Sequence, residues 1–250
     1  MNEIRNKIVI PDDHNFIRLT IMSDIGLAAL FSKNQNNFDI FKELLLKINK
    51  INIINNILRN IIRHTNKFSS IHAIKLLIDH GADINYIDSQ GTNILLYYCS
   101  FYYDDLDIKV INLLIDSGCH VNILNINNDS VLALVCKHKN ITADYFEIIK
   151  LLIRKGVNVN SKNIISKTAL MLYIEYHFDN YEYNIIKLFL DNKVDIYLKN
   201  DYGKNIFDIL ENKKSKNSDI YSLLFNYKNL NNDHFCEYDI DFIYDILYKN

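Results

Sequence analysis

A phrase of about ten residues returns along the chain: LLIDHGADIN ends at Asn85, LLIDSGCHVN at Asn122, LLIRKGVNVN at Asn160, and a weaker LFLDNKVDIY at Tyr197. Its turn residue falls at Gly81, Gly118, Gly156 and Lys193, at intervals of 37, 38 and 37 residues. Leu95, Leu132, Leu170 and Phe207 each follow that turn by 14 residues. The turn-to-helix connection therefore keeps one length, and any variation falls elsewhere in the unit. Such a period belongs to repeat architectures, in which a unit too small to bury its own apolar face stacks on its neighbours.

Within one unit, Ile108 to Ile115 places apolar side chains on a helical stripe, and Gly118 follows where a helix needs a left-handed terminating residue. The next stretch, Val121 to Asn128, is turn-rich and runs into Asp129-Ser130, which suits a hairpin-like connection into the following helix. Two helices and a projecting finger make one repeat.

These residues resemble the ankyrin repeat, whose pattern is D-x-x-G-x-T-P-L, a first helix, and a second helix ending L-L-x-x-G-A-D-V-N. The nearest match is Gly81-Ala82-Asp83-Ile84-Asn85 followed by Asp88-Ser89-Gln90-Gly91-Thr92-Asn93-Ile94-Leu95, with the Thr-Pro pair replaced by Asn93-Ile94. Ser130 and Thr168 keep the Thr position, and Gly203 keeps the finger glycine, which becomes Asn128 and Ser166 in the two middle fingers. Ser tolerates a positive φ poorly, so those fingertips are expected to be less regular. The resemblance implies an all-α solenoid of helix pairs joined by β-turn fingers, about six repeats in a single domain over 1–250. Degenerate N-terminal units occupy 20–56, clear repeats 57–85, 86–122, 123–160 and 161–197, and a C-terminal capping unit 198–250. The terminal pairs are Ile25 to Leu30 with Phe38 to Leu46, and Ile206 to Leu210 with Ile220 to Tyr227; beyond them Glu237 to Tyr248 is patterned as a short amphipathic helix. The units exceed the roughly 33 residues usual for the family. The excess lies between the two helices, at Cys99 to Asp107, Lys137 to Tyr145 and Tyr176 to Tyr183.

Composition narrows the function classes. The 250 residues are 49% hydrophobic and 23% charged with a net charge of −2, which suits a folded chain without a general pull toward nucleic acid or anionic lipid. No apolar run approaches the roughly twenty residues of a membrane span, and the apolar stretch Ile8 to Ile10 stops at Pro11, too short for a signal-peptide core. Cys99, Cys119, Cys136 and Cys236 form no Cys-x-x-Cys pair, which favours thiols in a reducing, intracellular setting, cytoplasmic or nuclear. Abundant Ile, Asn and Lys suggest AT-rich coding.

Catalytic signatures are not visible: there is no phosphate-binding glycine loop and no nucleophile elbow. The histidines, among them His64, His72, His80, His120, His138 and His177, are spread through different units and make no ligand set. The sequence therefore asks for no cofactor, no metal and no catalytic residue. His72, at the start of a second helix, reads as a capping or packing residue.

Two surfaces stand out. The inserts are rich in aromatics, Tyr97, Tyr98, Phe101, Tyr102 and Tyr103 in one, Tyr145 and Phe146 in the next, Tyr173, Tyr176, Phe178, Tyr181 and Tyr183 in the third. They either stack and extend the core or form an interface. The resemblance implies that partners bind at the fingertips and the exposed face of the first helices. The corresponding positions are Tyr86, Asp88, Gln90 and Thr92, then Leu124, Asn127 and Asp129, then Lys162, Ile164 and Lys167, then Lys199, Asp201 and Tyr202. It also matches Asn85, Asn122 and Asn160 to a target of asparaginyl hydroxylation in animal cells, although local hydrogen bonds within the finger explain an Asn there.

The expected function is a non-enzymatic, monomeric scaffold that binds a partner protein. Long irregular repeats resemble the ankyrin proteins of large DNA viruses and some intracellular bacteria, which implies a host-directed partner. Two alternatives are a ubiquitin-ligase substrate adaptor docking through Glu237 to Leu247, and an enzyme with a site assembled across repeats.

Overall fold

The computed structural model describes residues 50–63, 71–101, 106–138, 143–177, 182–212 and 218–230, together with 39, 41–43, 45, 46 and 48. Among them the regular structure is helical, with no strand. The first terminal pair expected at Ile25 to Leu46 lies largely outside these residues, as does the tail helix expected at Glu237 to Tyr248. The chain divides into two compact units between Ile123 and Leu124.

In the first unit, α1 (Ile51–Arg63) and α2 (Ile71–Asp79) precede α3 (Ile94–Phe101) and α4 (Ile108–Asp116). In the second, the pairs are α5 (Val131–Cys136) with α6 (Ala143–Arg154), α7 (Ala169–Tyr176) with α8 (Tyr183–Asp191), and α9 (Ile206–Asn212) with α10 (Ser218–Leu230). First helices pack on first helices, α1 on α3 and α5 on α7 on α9, and second helices on second, α2 on α4 and α6 on α8 on α10. α7 is thus flanked on both sides, and it buries every residue from Ala169 to Ile174. Each second helix buries only a stripe, such as Val110, Ile111 and Leu114 of α4 or Ile185, Ile186 and Phe189 of α8, and leaves a polar face to water.

The first helices α3, α5, α7 and α9 each begin at a capping side chain. Asn93, Ser130, Thr168 and Asn205 accept from the backbone N–H three residues on, at 3.0, 3.1, 3.4 and 3.1 Å, satisfying a donor the helix cannot. At Asn205 the bond is reciprocated, since Asp208 accepts from the Asn205 N–H at 2.8 Å. The loss of the family's Thr at Asn93 has a structural use: its longer amide caps α3 and donates to the His120 carbonyl of the next repeat at 2.7 Å.

The second helices α2, α4, α6 and α8 each end in the same double-bonded turn. The N–H groups of Gly81, Gly118, Gly156 and Lys193 reach back three residues, and those of Ala82, Cys119, Val157 and Val194 reach back five to Leu77, Leu114, Leu152 and Phe189. The latter four side chains are buried beneath the turn. A Cβ added at Gly81, Gly118 or Gly156 meets nothing within 4 Å. Only the positive φ opposes a side chain there, and Lys193 takes one at φ 60.

The fingers follow a second template that the sequence reading missed. Asp88, Asn125, Asn163 and Asn200 recur at the same 37, 38 and 37 intervals. In each, one side-chain oxygen accepts two backbone N–H bonds, from the residues two and four further on: Gln90 and Thr92, Asn127 and Asp129, Ile165 and Lys167, Tyr202 and Lys204. The backbone closes the same loop, with Gly91, Asn128, Ser166 and Gly203 N–H bonded to the anchor carbonyl at 3.0, 2.8, 2.8 and 2.9 Å. This corrects the expectation of irregular middle fingertips. Asn128 and Ser166 hold φ 54 and 56 in the place of Gly91 and Gly203 because four hydrogen bonds around the anchor, two to its side-chain oxygen, one to its carbonyl and one from its own N–H, over-determine the turn.

Since the strain at Ser166 and Lys193 is conformational and the space is open, Ser166→Gly and Lys193→Gly are each expected to stabilise the protein by about 1 kcal/mol. Asn163→Ala is expected to destabilise it by about 1–2 kcal/mol. Thermal and urea melts check all three, and a Gly variant that melts lower would contradict the template.

Candidate functional site

In the second unit the fingers are joined tip to tip. The Ile164 N–H donates to the Asn127 carbonyl at 2.8 Å and the Asp201 N–H to the Ile165 carbonyl at 3.3 Å. Each bond runs from the residue after one anchor to the residue two past the preceding anchor, so the three tips form one continuous ridge. Lys162 adds a further link, its Nζ donating to the Lys199 carbonyl at 3.2 Å. Along the ridge Ile126, Ile164 and Tyr202 are 58%, 62% and 72% exposed. Large apolar side chains on rigid backbone present area to a partner at little entropic cost.

The structure sorts the expected site residues into two groups. Tyr86, Gln90, Leu124, Asn127, Lys162, Ile164, Lys199, Asp201 and Tyr202 are exposed. Thr92 and Asp129 are buried, and Asp88 and Lys167 are half-buried and engaged. In the first unit the Arg59 guanidinium pairs with Asp88, donates to Thr92 Oγ1 at 3.2 Å and lies 4.0 Å over the Tyr97 ring. Partial burial works to raise the Asp88 pKa, but the Thr92 hydrogen bonds and the Arg59 charge outweigh it and hold the carboxyl below its usual range. Sequence reasoning missed Arg59, which has no counterpart in the repeat phrase.

In the first two fingers of the second unit the residue at the base reaches the end of the first helix that follows. Asp129 pairs with Lys137 at 2.8 Å, and eight-residue spacing returns with reversed sign in Lys167 and Glu175 at 2.6 Å. Asp129 also accepts from the buried Asn163 amide at 3.2 Å. Asp129 and Lys167 are thereby matched internally, and the tips of the ridge are left exposed.

The side chains of Asn85 and Asn160 in the repeat phrase bond to the next repeat, which corrects the expectation of local bonds within the finger. Asn85 Nδ2 donates to the Gly118 carbonyl at 3.0 Å while its Oδ1 accepts from the His120 N–H at 2.8 Å. Asn160 repeats this with the Lys193 carbonyl at 3.3 Å and the Asp195 N–H at 2.8 Å. Each amide thus clamps the terminating turn of the next repeat. Asn55, outside the phrase, accepts from the Asp83 N–H at 2.8 Å in the same manner.

The insert aromatics divide. Tyr98 and Tyr173 are buried, and their hydroxyls accept from the Asp107 and Glu182 N–H groups, each at 2.8 Å and nine residues on. They fasten the start of the second helix to the first. The middle repeat has Val135 at that position, and buried Tyr145 reverses the connection by donating to the Val135 carbonyl at 3.2 Å. Tyr176 and Tyr183 are exposed, whereas Tyr102, Tyr103, Phe178 and Tyr181 lie outside the described residues. Tyr145 also meets His177 Nε2 at 3.2 Å, and the His177 ring lies 4.7 Å from that of Tyr173. This buried cluster was not legible because its members come from different repeats. His72 is exposed on α2, which corrects the packing role expected for it.

Burial depresses the His177 pKa, with the His138 charge adding to it and the Cys136 backbone hydrogen bond opposing. Burial also pushes Cys119 up to about 11 and raises Cys99 and Cys136, so these thiols serve as packing groups. Among the described residues no three His, Cys, Asp or Glu side chains converge as a metal site. No helix among them is long and apolar enough to cross a membrane.

Residues 98–200 match the family model described as ankyrin repeats, in three copies. No curated protein matches the chain.

The His177 shift fixes a pH dependence. A base with a depressed folded pKa binds its proton more readily when unfolded, so stability is fully present above the ordinary value near 6.5 and declines as pH falls below it. Thermal melts between pH 7.5 and 5 are expected to show this decline, and His177→Gln is expected to flatten it from a lower starting melting temperature. A variant with the parent's slope would contradict the assignment.

Proposed function

We propose, from the premise that this is an ankyrin repeat protein, that it works as a non-enzymatic scaffold whose fingertips bind another protein. Ankyrin repeats generally mediate protein–protein interaction, and members of the family are typically not enzymes. The observation that carries the reading is the ridge of the second unit. There, large apolar side chains stand on turns fixed by Asn125, Asn163 and Asn200, a surface too exposed to serve the protein's own core. The reading is supported further by the charged groups in and beside the fingers, since Asp88, Asp129, Lys167 and Glu175 are each occupied in structural pairs.

A finer proposal is that the partner belongs to a host cell; its support is the length and irregularity of the repeats together with the Ile- and Asn-rich composition. Glu237 to Leu247, the segment on which a ligase-adaptor role rests, lies outside the described residues.

Affinity capture from a eukaryotic lysate, read by mass spectrometry, tests the reading. Wild-type protein is expected to retain a specific protein that Tyr202→Ser and Ile164→Ser each release, with melting temperatures unchanged. Retention of no protein, or of one indifferent to every fingertip substitution including Tyr86→Ser and Gln90→Ala, would contradict it.

A further inference from the structure

We infer that the finger ridge of the second unit takes an extended, acidic peptide segment that carries apolar side chains. This rests on the scaffold reading above and specifies the chemistry of its partner. The first support is charge. Lys162, Lys199 and Lys204 are exposed on the fingers, facing one exposed carboxylate at Asp201, while Lys167 is neutralised by Glu175. The ridge is therefore basic within a chain of net charge −2. The finger of the first unit carries no lysine, and its Asp88 is matched by Arg59. Long-range attraction at the ridge thus selects an anionic partner.

The second support is the hydrogen-bond register. The Asn127 and Ile165 carbonyls accept from the next finger, and the Ile164 and Asp201 N–H groups donate to the previous one. At the far end of the ridge the equivalent acceptor, the Tyr202 carbonyl, has no partner among the described residues. Tyr202 itself is exposed. An extended backbone can continue such a ladder, with affinity from main-chain bonds and specificity from alternate side chains. The third support is the apolar character of the tips. Ile164, Ile165 and Tyr202 call for apolar side chains between the acidic ones, a requirement that a phosphate backbone does not meet.

Selection of a displayed library of short random peptides on the full chain tests this, with a pool of single-stranded RNA as competitor. Enriched peptides are expected to interleave Asp or Glu with Leu, Ile or Phe, and to weaken as salt is raised. Their Kd is expected to rise roughly fivefold or more on Ile164→Ser and on Lys199→Glu. Enrichment of basic or uncharged peptides, enrichment of none, displacement by RNA at matched charge, or indifference to both substitutions would overturn the inference. If lysate capture still shows a protein released by fingertip substitution, only the peptide chemistry fails. If that capture fails as well, the scaffold reading falls with it.

Discussion

The structure depends on one side-chain oxygen per repeat. At Asp88, Asn125, Asn163 and Asn200 a single acceptor takes two backbone N–H bonds and closes a finger. A finger has no apolar core of its own, and without the anchor its backbone donors would be left to water and its tip to many conformations. With the anchor in place, Ser166 can be held in a left-handed conformation and the tips of the second unit can bond to one another. The ridge of exposed tips is a consequence of that local chemistry.

A second amide does the corresponding work between repeats. Asn85 and Asn160 each satisfy one carbonyl and one N–H at the end of the next second helix, and Asn93 spans from its own helix cap to the His120 carbonyl. Amides suit this role because they carry donor and acceptor on one short side chain. Stacked apolar helices supply most of the driving force in such a fold. The amides set the register in which the helices stack.

Much of this was legible in the sequence, and the boundary falls along physical lines. Gly81, Gly118 and Gly156 announce a backbone requirement, and Lys193 is found by counting from them. The helix pairs follow from apolar periodicity, and Ser130 and Thr168 from their position before it. The anchors were hidden because Asn125, Asn163 and Asn200 sit in a chain full of Asn, where one more is no signal, and because Asp88 does the same work with a carboxylate. Ser166 misled because propensity was weighed without the four hydrogen bonds around Asn163 that override it. Thr92 and Asp129 align with finger residues yet turn inward, since the position four past the anchor closes the loop. In the cluster Tyr145 meets Tyr173 and His177, 28 and 32 residues further on, a pairing across repeats that no local pattern can reveal.

Native-state hydrogen exchange measured residue by residue addresses the central claim most directly. The amide protons that the anchors accept, those of Gln90, Thr92, Asn127, Asp129, Ile165, Lys167, Tyr202 and Lys204, are expected to be protected although they lie in surface turns. Exchange of these amides at the rate of an unstructured peptide, with the neighbouring helices still protected, would contradict the account.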